Sequence, residues 1–181
     1  KAIILAAPTD RLRLFMQARQ ACIFPGMLKS KMADLVDNQL IPSGRNHEAG
    51  LNCSSKMDAV IRTLCTRVGN GNGKLVFCHF REEIDTIIAR LREIGITNVA
   101  TFDGRTRPNT RSKTLQASHE ILVLQIQTGC EGLNLQAEYS EVYFVSPNWN
   151  PAIEDQAIAR CHRIGQRKEV HVFRFHMSTF E

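Results

Sequence analysis

The sequence has no apolar run near the roughly 18 residues that a bilayer-spanning helix needs; its longest, Ala2 to Ala7, covers six. A transmembrane helix is excluded, no cleavable signal pattern is present, and no membrane partner is expected. The six cysteines, at 22, 53, 65, 78, 130 and 161, form no C-x-x-C pair, which argues against a structural zinc site. Scattered cysteines without a secretory signal predict reduced thiols and an intracellular location. No internal repeat or low-complexity tract is present. The glycine-rich stretch Gly69 to Lys74 does not make a phosphate loop. Val68 stands where G-x-x-x-x-G-K-[ST] requires Gly, and Leu75 where it requires Ser or Thr. With no G-K-[ST] and no D-E-x-[HD] elsewhere, the chain lacks its own means of holding nucleotide phosphates and magnesium. A Cys/His nucleophile pair is also excluded, because the adjacent Cys161 and His162 would point different ways from a helix. No metal site is expected.

What is present is an ordinary globular composition: 181 residues, 43% hydrophobic, with a formal net charge of +5. This length suits one domain with a buried core, or one lobe of a larger machine. The cations divide into 16 Arg and 7 Lys, favouring the planar side chain suited to phosphate. They also cluster: Arg11 to Lys31, Gly104 to His119 and Arg160 to Lys168 carry five, four and four cations and no acid. A polyanionic partner is therefore expected.

Residues 1–53 read as a partly helical accessory segment, with helices near Leu12 to Cys22 and Lys29 to Gln39. Ser54-Ser55 offers a cap for a helix over Lys56 to Arg67, and Gly69 to Gly73 forms a loop or hinge. From Lys74 strands and helices alternate. Strands are predicted at Leu75 to Cys78, Val99 to Phe102, Ile121 to Ile126, Val142 to Val145 and Val170 to Phe175. Helices are predicted at Glu82 to Glu93, Asn109 to Ala117 and Ala152 to Arg163, and a Gly-rich turn at Gly129 to Gly132. Short apolar strands alternating with helices predict an α/β fold with a mostly parallel sheet covered on both faces. Ligands are then expected at the carboxyl ends of the strands, in the turns after Cys78, Phe102, Ile126 and Val145.

The strongest local signal is Gln156 to Lys168. On a helix Gln156, Arg160 and Arg163 fall at i, i+4 and i+7 and share one face, while Ala157, Ile158 and Cys161 pack inward. Two guanidinium groups on one face suit the charge that spreads over phosphate oxygens during phosphoryl transfer. An ordinary solvated basic face has the same spacing.

In order along the chain stand Ser54-Ser55-Lys56, Leu75 to Phe80, Phe102-Asp103-Gly104 with Arg111, Gly132-Leu133-Asn134-Leu135 and Trp149-Asn150-Pro151. Gln156-Ala157 with Arg160 and His162 to Gln166 follow. Together they resemble the second RecA-like lobe of the Swi/Snf-type ATPases, the chromatin-remodelling and DNA-translocating branch of helicase superfamily 2. The resemblance covers about residues 54–181, and Leu14 to Leu28 weakly resembles the helical segment that precedes this lobe.

The resemblance implies that Arg160 and Arg163 are arginine fingers reaching ATP, with Mg2+, held by an N-terminal RecA-like lobe of the same polypeptide. It places Gln156, Gly132 and Asn134 at the nucleotide. It sets Gly104, Arg105, Thr106, Arg111 and Trp149 near double-stranded DNA, for Trp149 with core packing as the alternative. Where the family has a DNA-facing hydroxyl ahead of Gly-Leu-Asn-Leu this sequence reads Gln125 to Cys130, with the hydroxyl missing from its usual place, and the resemblance offers Thr128, two residues along, as the substitute. The implied activity is DNA-dependent ATP hydrolysis by the full-length protein, on DNA or nucleosomes, in the nucleus if eukaryotic. The isolated chain, read as an excised fragment, is expected to be inactive. The competing expectation is a non-catalytic nucleic-acid-binding or docking module on the same fold.

Overall fold

The computed structural model describes residues 8–29, 33, 54–107, 114, 117–129 and 133–177. The helices expected at Lys29 to Gln39 and Asn109 to Ala117, and most of the turn at Gly129 to Gly132, lie largely outside them. The chain divides into two compact units, residues 1–58 with 177–181 and residues 59–176. Among the described residues no helix is long and apolar enough to cross a membrane.

In the first unit α1 (Pro8–Ile23) leads into a 3-10 turn at Pro25–Leu28. The Ser54 hydroxyl donates to the Ile23 carbonyl at 2.6 Å and accepts from the Met57 amide at 3.2 Å. It thereby caps α2 (Ser55–Arg67), as the Ser-Ser pair predicts.

The second unit is a five-stranded, wholly parallel sheet in the order β2-β3-β1-β4-β5. Its strands are β1 (Gly73–Cys78), β2 (Val99–Phe102), β3 (Ile121–Gln125), β4 (Tyr139–Phe144) and β5 (His171–Arg174). Among the described residues α3 (Arg81–Glu93), the single turn α4 (Ile126–Gly129) and α5 (Pro151–Ile158) run between them. The expected α/β class and most strand positions hold.

The sheet is buried on both faces, which is why its central strands read as continuous apolar runs. One face gathers Leu75, Phe77, Leu122, Leu124, Val142 and Phe144 against Ala157 and Cys161, with Phe77 and Phe144 stacked at 5.5 Å. Facing β1 and β3, α3 buries Ile84, Ile87, Ile88 and Leu91 at helical spacing. Its start is fixed by Glu83, whose carboxylate accepts the amides of His79 at 2.5 Å and Phe80 at 2.8 Å. At Gly73, where β1 shifts register against β4, a Cβ would lie 2.2 Å from the Glu138 carbonyl oxygen. Glycine is therefore required there by close approach of backbone.

β4 begins three residues earlier than its apolar run suggests, because Glu141 is fully buried inside it. Glu141 Oε1 accepts from Arg67 Nη2 at 2.6 Å and Nε at 3.1 Å, Asn70 Nδ2 at 2.8 Å and Asn72 Nδ2 at 3.3 Å. Its Oε2 accepts the Tyr143 hydroxyl at 2.5 Å. Lys74, the β1 neighbour of Glu141, is also fully buried and donates to Asn70 Oδ1 and the Asn72 carbonyl. The Gly69 to Gly73 loop is thus the polar lid of a buried charge cluster.

Candidate functional site

The chain leaves β4 through Ser146 to Asn150. Asn150 Oδ1 accepts the Ala152 amide at 3.1 Å, and Pro151 supplies a preset first helical residue, so α5 starts there. It stops at Ile158, five residues short of the expected end. Beyond it the backbone tightens: the Arg160 amide reaches the Ala157 carbonyl and the Cys161 amide that of Ile158, and the turn ends at Gly165 with φ 101°. The expected single helical face carrying Gln156, Arg160 and Arg163 is therefore not formed. Gln156 is exposed on α5, whereas the two arginines lie in the following turn. Ala157 and Cys161 pack inward as their spacing predicts. Burial pushes the Cys161 thiol up to about 12.

This arginine turn is built onto the segment that carries Asn134. The Arg163 guanidinium donates through Nη1 to Asn134 Oδ1 at 2.5 Å, and the Leu135 amide donates to the Arg160 carbonyl at 3.2 Å. A cavity of about 490 Å³ opens beside it, lined by His162, Arg163, Ile164, Gln166 and Lys168. Asn134, Arg160 and Arg163 are thus brought together across 26 to 29 residues of sequence, while Gly132 and Arg111 lie outside the described residues. Thr128 lies on α4, and its side chain is not described.

The turn does not sit at the carboxyl edge of the sheet. The Gln166 amide binds the carbonyl of Tyr139, the first residue of β4, and Lys168 Nζ binds the carbonyl of Gly71, ahead of β1. Both anchors lie at the amino ends of their strands. The arginine turn is therefore a candidate face separate from the turns expected at the carboxyl edge.

The carboxyl edge holds Gly104 to Thr106 and Trp149. Arg105 reaches Asp103 Oδ2 through Nε at 2.9 Å and Nη2 at 2.6 Å, and Asp85 through Nη1 at 2.9 Å and Nη2 at 2.8 Å. Thr106 Oγ1 accepts the Asp103 amide at 3.1 Å. Burial alone would push the Asp103 carboxyl up, but the hydrogen bonds from Arg105 outweigh it and hold the carboxyl below its usual range. A run without acids in sequence is therefore flanked by two carboxylates in space, and the charge of Arg105 is largely balanced.

Trp149 is 66% exposed, so core packing is excluded for it. Its loop is braced. The buried Glu154 accepts the Asn148 amide at 2.8 Å and Arg174 Nε at 2.8 Å, Asn148 Oδ1 accepts the Asn150 amide, and His79 Nε2 donates to the Ser146 carbonyl at 3.1 Å. Glu154 and His79 escaped the sequence reading because their partners are backbone groups or come from β5. Among the described residues no group of three or more His, Cys, Asp or Glu could hold a metal.

The family description "helicase conserved C-terminal domain" matches residues 55–165. The chain is 37% identical over 129 residues to DNA repair protein RAD5B of Arabidopsis thaliana, covering 67% of this chain and 10% of that protein. It is 38% identical over 137 residues to DNA repair protein RAD5 of Candida albicans, covering 70% and 12%. With the human helicase-like transcription factor it shares 36% over 131 residues, covering 67% and 13%. It spans about a tenth of the length of these relatives. Among solved structures, the C-terminal part of the Fun30 ATPase domain superposes with a TM-score of 0.61 at 28% identity, covering 67% of this chain and 40% of that one.

Proposed function

The chain belongs to the helicase conserved C-terminal domain family and is a C-terminal RecA-like lobe of the Swi/Snf-type ATPases; on that premise we propose that it completes an ATP site and carries one of two grips on double-stranded DNA. The lobe takes in residues 54–181, with residues 1–53 as its lead-in. Arg160 and Arg163 meet the phosphates of ATP held by the N-terminal lobe of the same polypeptide, with Asn134, Gln156 and Gly132 beside them. Mg2+ belongs to that other lobe, since His162, Arg163, Ile164, Gln166 and Lys168, which line the cavity at the arginine turn, offer no carboxylate to a hard cation. What supports this most is the fixing of Arg163 on Asn134, which presents the guanidinium from a preorganised turn rather than a free side chain. In phosphoryl transfer, charge builds on the equatorial oxygens, and a positioned planar cation lowers the barrier by an amount worth ~10³–10⁵ in rate.

DNA is met at the other face, by the Gly104 to Thr106 turn, Arg111, Thr128 and the exposed Trp149. Phosphate contacts here position the duplex without reading its sequence. With two separate faces, closure of the two lobes on ATP can shift this grip relative to the other lobe's while the arginine turn stays at the nucleotide. The relatives named for DNA repair support a role on DNA, which we extend to nucleosomal DNA in the nucleus. The test is DNA-stimulated ATP turnover by the full-length protein. Arg160→Ala or Arg163→Ala abolishes the stimulated rate while leaving KM for ATP nearly unchanged; near-normal turnover by the double variant removes the arginine-finger reading, whereas a full-length protein with no DNA-stimulated turnover leaves the non-catalytic DNA-binding module.

A further inference from the structure

Gln166 lies just past Gly165 and is half-buried. Its Nε2 sits 2.9 Å from the Gln136 carbonyl, 2.9 Å from the Tyr139 carbonyl and 3.3 Å from the Cys161 carbonyl. Its Oε1 accepts the Lys168 amide at 2.9 Å. One amide group with two hydrogens thus serves three carbonyls, the longest contact being shared. Those carbonyls belong to two segments. Gln136 and Tyr139 continue the strand-entry segment that carries Asn134, and Cys161 sits between Arg160 and Arg163. Gln166 is therefore a clamp between the Asn134 segment and the arginine turn, acting alongside the Arg163 to Asn134 contact and the Leu135 to Arg160 backbone bond. The Cys161 carbonyl, one of the last four that a helix ending at Arg163 would leave unpaired, is met here by the Arg163 amide at 3.1 Å and by Gln166 Nε2 at 3.3 Å.

We propose that Gln166 is a positioning residue for Arg163, fixing the arginine turn on the Asn134 segment so that the guanidinium meets the transferring phosphate in register; this rests on the reading of Arg163 as an arginine finger. Gln166 touches neither nucleotide nor DNA in this account. It acts only through the turn, and a displacement of ~1 Å at a phosphate-facing group costs up to about 100-fold in rate. A side chain without the two N–H donors takes this partner from the Gln136 and Tyr139 carbonyls and releases the turn.

The test uses full-length protein carrying Gln166→Leu, Gln166→Asn, Arg163→Ala or Gln166→Leu with Arg163→Ala. DNA-stimulated kcat, KM for ATP, DNA affinity and melting temperature are measured for each. Gln166→Asn keeps an amide that is one methylene too short to span the two segments, and it carries the test if the leucine variant fails to fold. Expected for the Gln166 variants is a loss of about ten-fold or more in kcat, with KM and DNA affinity within about two-fold. In the Arg163→Ala background Gln166→Leu adds no further loss, because its effect runs through Arg163. The proposal is overturned by a normal kcat in the folded Gln166 variants, by losses of KM and DNA affinity that match the loss of kcat, or by a further loss in the double variant. Near-normal turnover of Arg163→Ala removes the arginine-finger reading itself, and with it what Gln166 positions. Loss in Arg163→Ala with normal Gln166 variants removes only the clamp.

Discussion

Replacing Glu141 by Gln removes the charge at the centre of the buried cluster while keeping the side chain's shape. Burial alone would raise its carboxyl, but hydrogen bonds from Arg67, Tyr143, Asn70 and Asn72 outweigh burial and hold it at about 2, against an ordinary 4.5. A folded-state value below the unfolded one means stability that is fully present above pH 4.5 and lost as the pH falls toward 2. The shift of 4.5 − 2 corresponds to ~3.4 kcal/mol at about 1.36 kcal/mol per unit. Arg67 is about a third exposed and partly screened, which reduces the expected contribution to about 2–3 kcal/mol. Urea unfolding at pH 7 should therefore find Glu141→Gln less stable by about 2–3 kcal/mol. The gap between variant and parent should narrow by about 1 kcal/mol at pH ~3.5, where the unfolded parent has taken up its proton and the folded one has not. A gap under about 1 kcal/mol at pH 7, or one that does not change with pH, would refute the assignment of the cluster as charge-stabilised.

Gly73→Ala places a methyl group 2.2 Å from the Glu138 carbonyl oxygen and should cost about 2–3 kcal/mol in urea unfolding; a neutral result would mean that β1 does not approach β4 so closely. Trp149 stands exposed on its braced loop, and weakened DNA binding by full-length protein carrying Trp149→Ala is expected. Unchanged DNA affinity in that variant would remove Trp149 from the grip. Glu154→Ala frees the Asn148 amide and Arg174, and should weaken DNA binding in the same direction as Trp149→Ala while leaving KM for ATP alone.

The strands were legible because they are buried on both faces. Val99 to Phe102 was read with its true bounds, and Leu75 to Cys78 lacked only Gly73 and Lys74. Lys74 and Glu141 were missed for one reason: a buried charge breaks an apolar run, and the side chains that compensate it, at 67, 70 and 72, lie outside the strand pattern. Spacing carried α5 on to Arg163, since nothing local to Ala152–Arg163 marks the stop at Ile158. Past that stop, Gln166 is hydrogen-bonded to the carbonyls of Gln136 and Tyr139, 30 and 27 residues before it in the sequence. Arg105 looked free in an acid-free run because one partner, Asp85, comes from α3 and the other, Asp103, stands two residues ahead of it. The motif order identified the lobe, yet that arginine turn and sheet edge form two faces depends on crossovers that no linear pattern displays.

The central claim is that the arginine turn acts on ATP while a separate face holds DNA. It is tested most directly by measuring DNA-stimulated ATP turnover and duplex affinity side by side for Arg163→Ala in the full-length protein. The account predicts a loss of about 10³-fold or more in stimulated turnover with duplex affinity within about two-fold of the parent. Turnover near that of the parent, or a loss of duplex affinity that matches the loss of turnover, would contradict it.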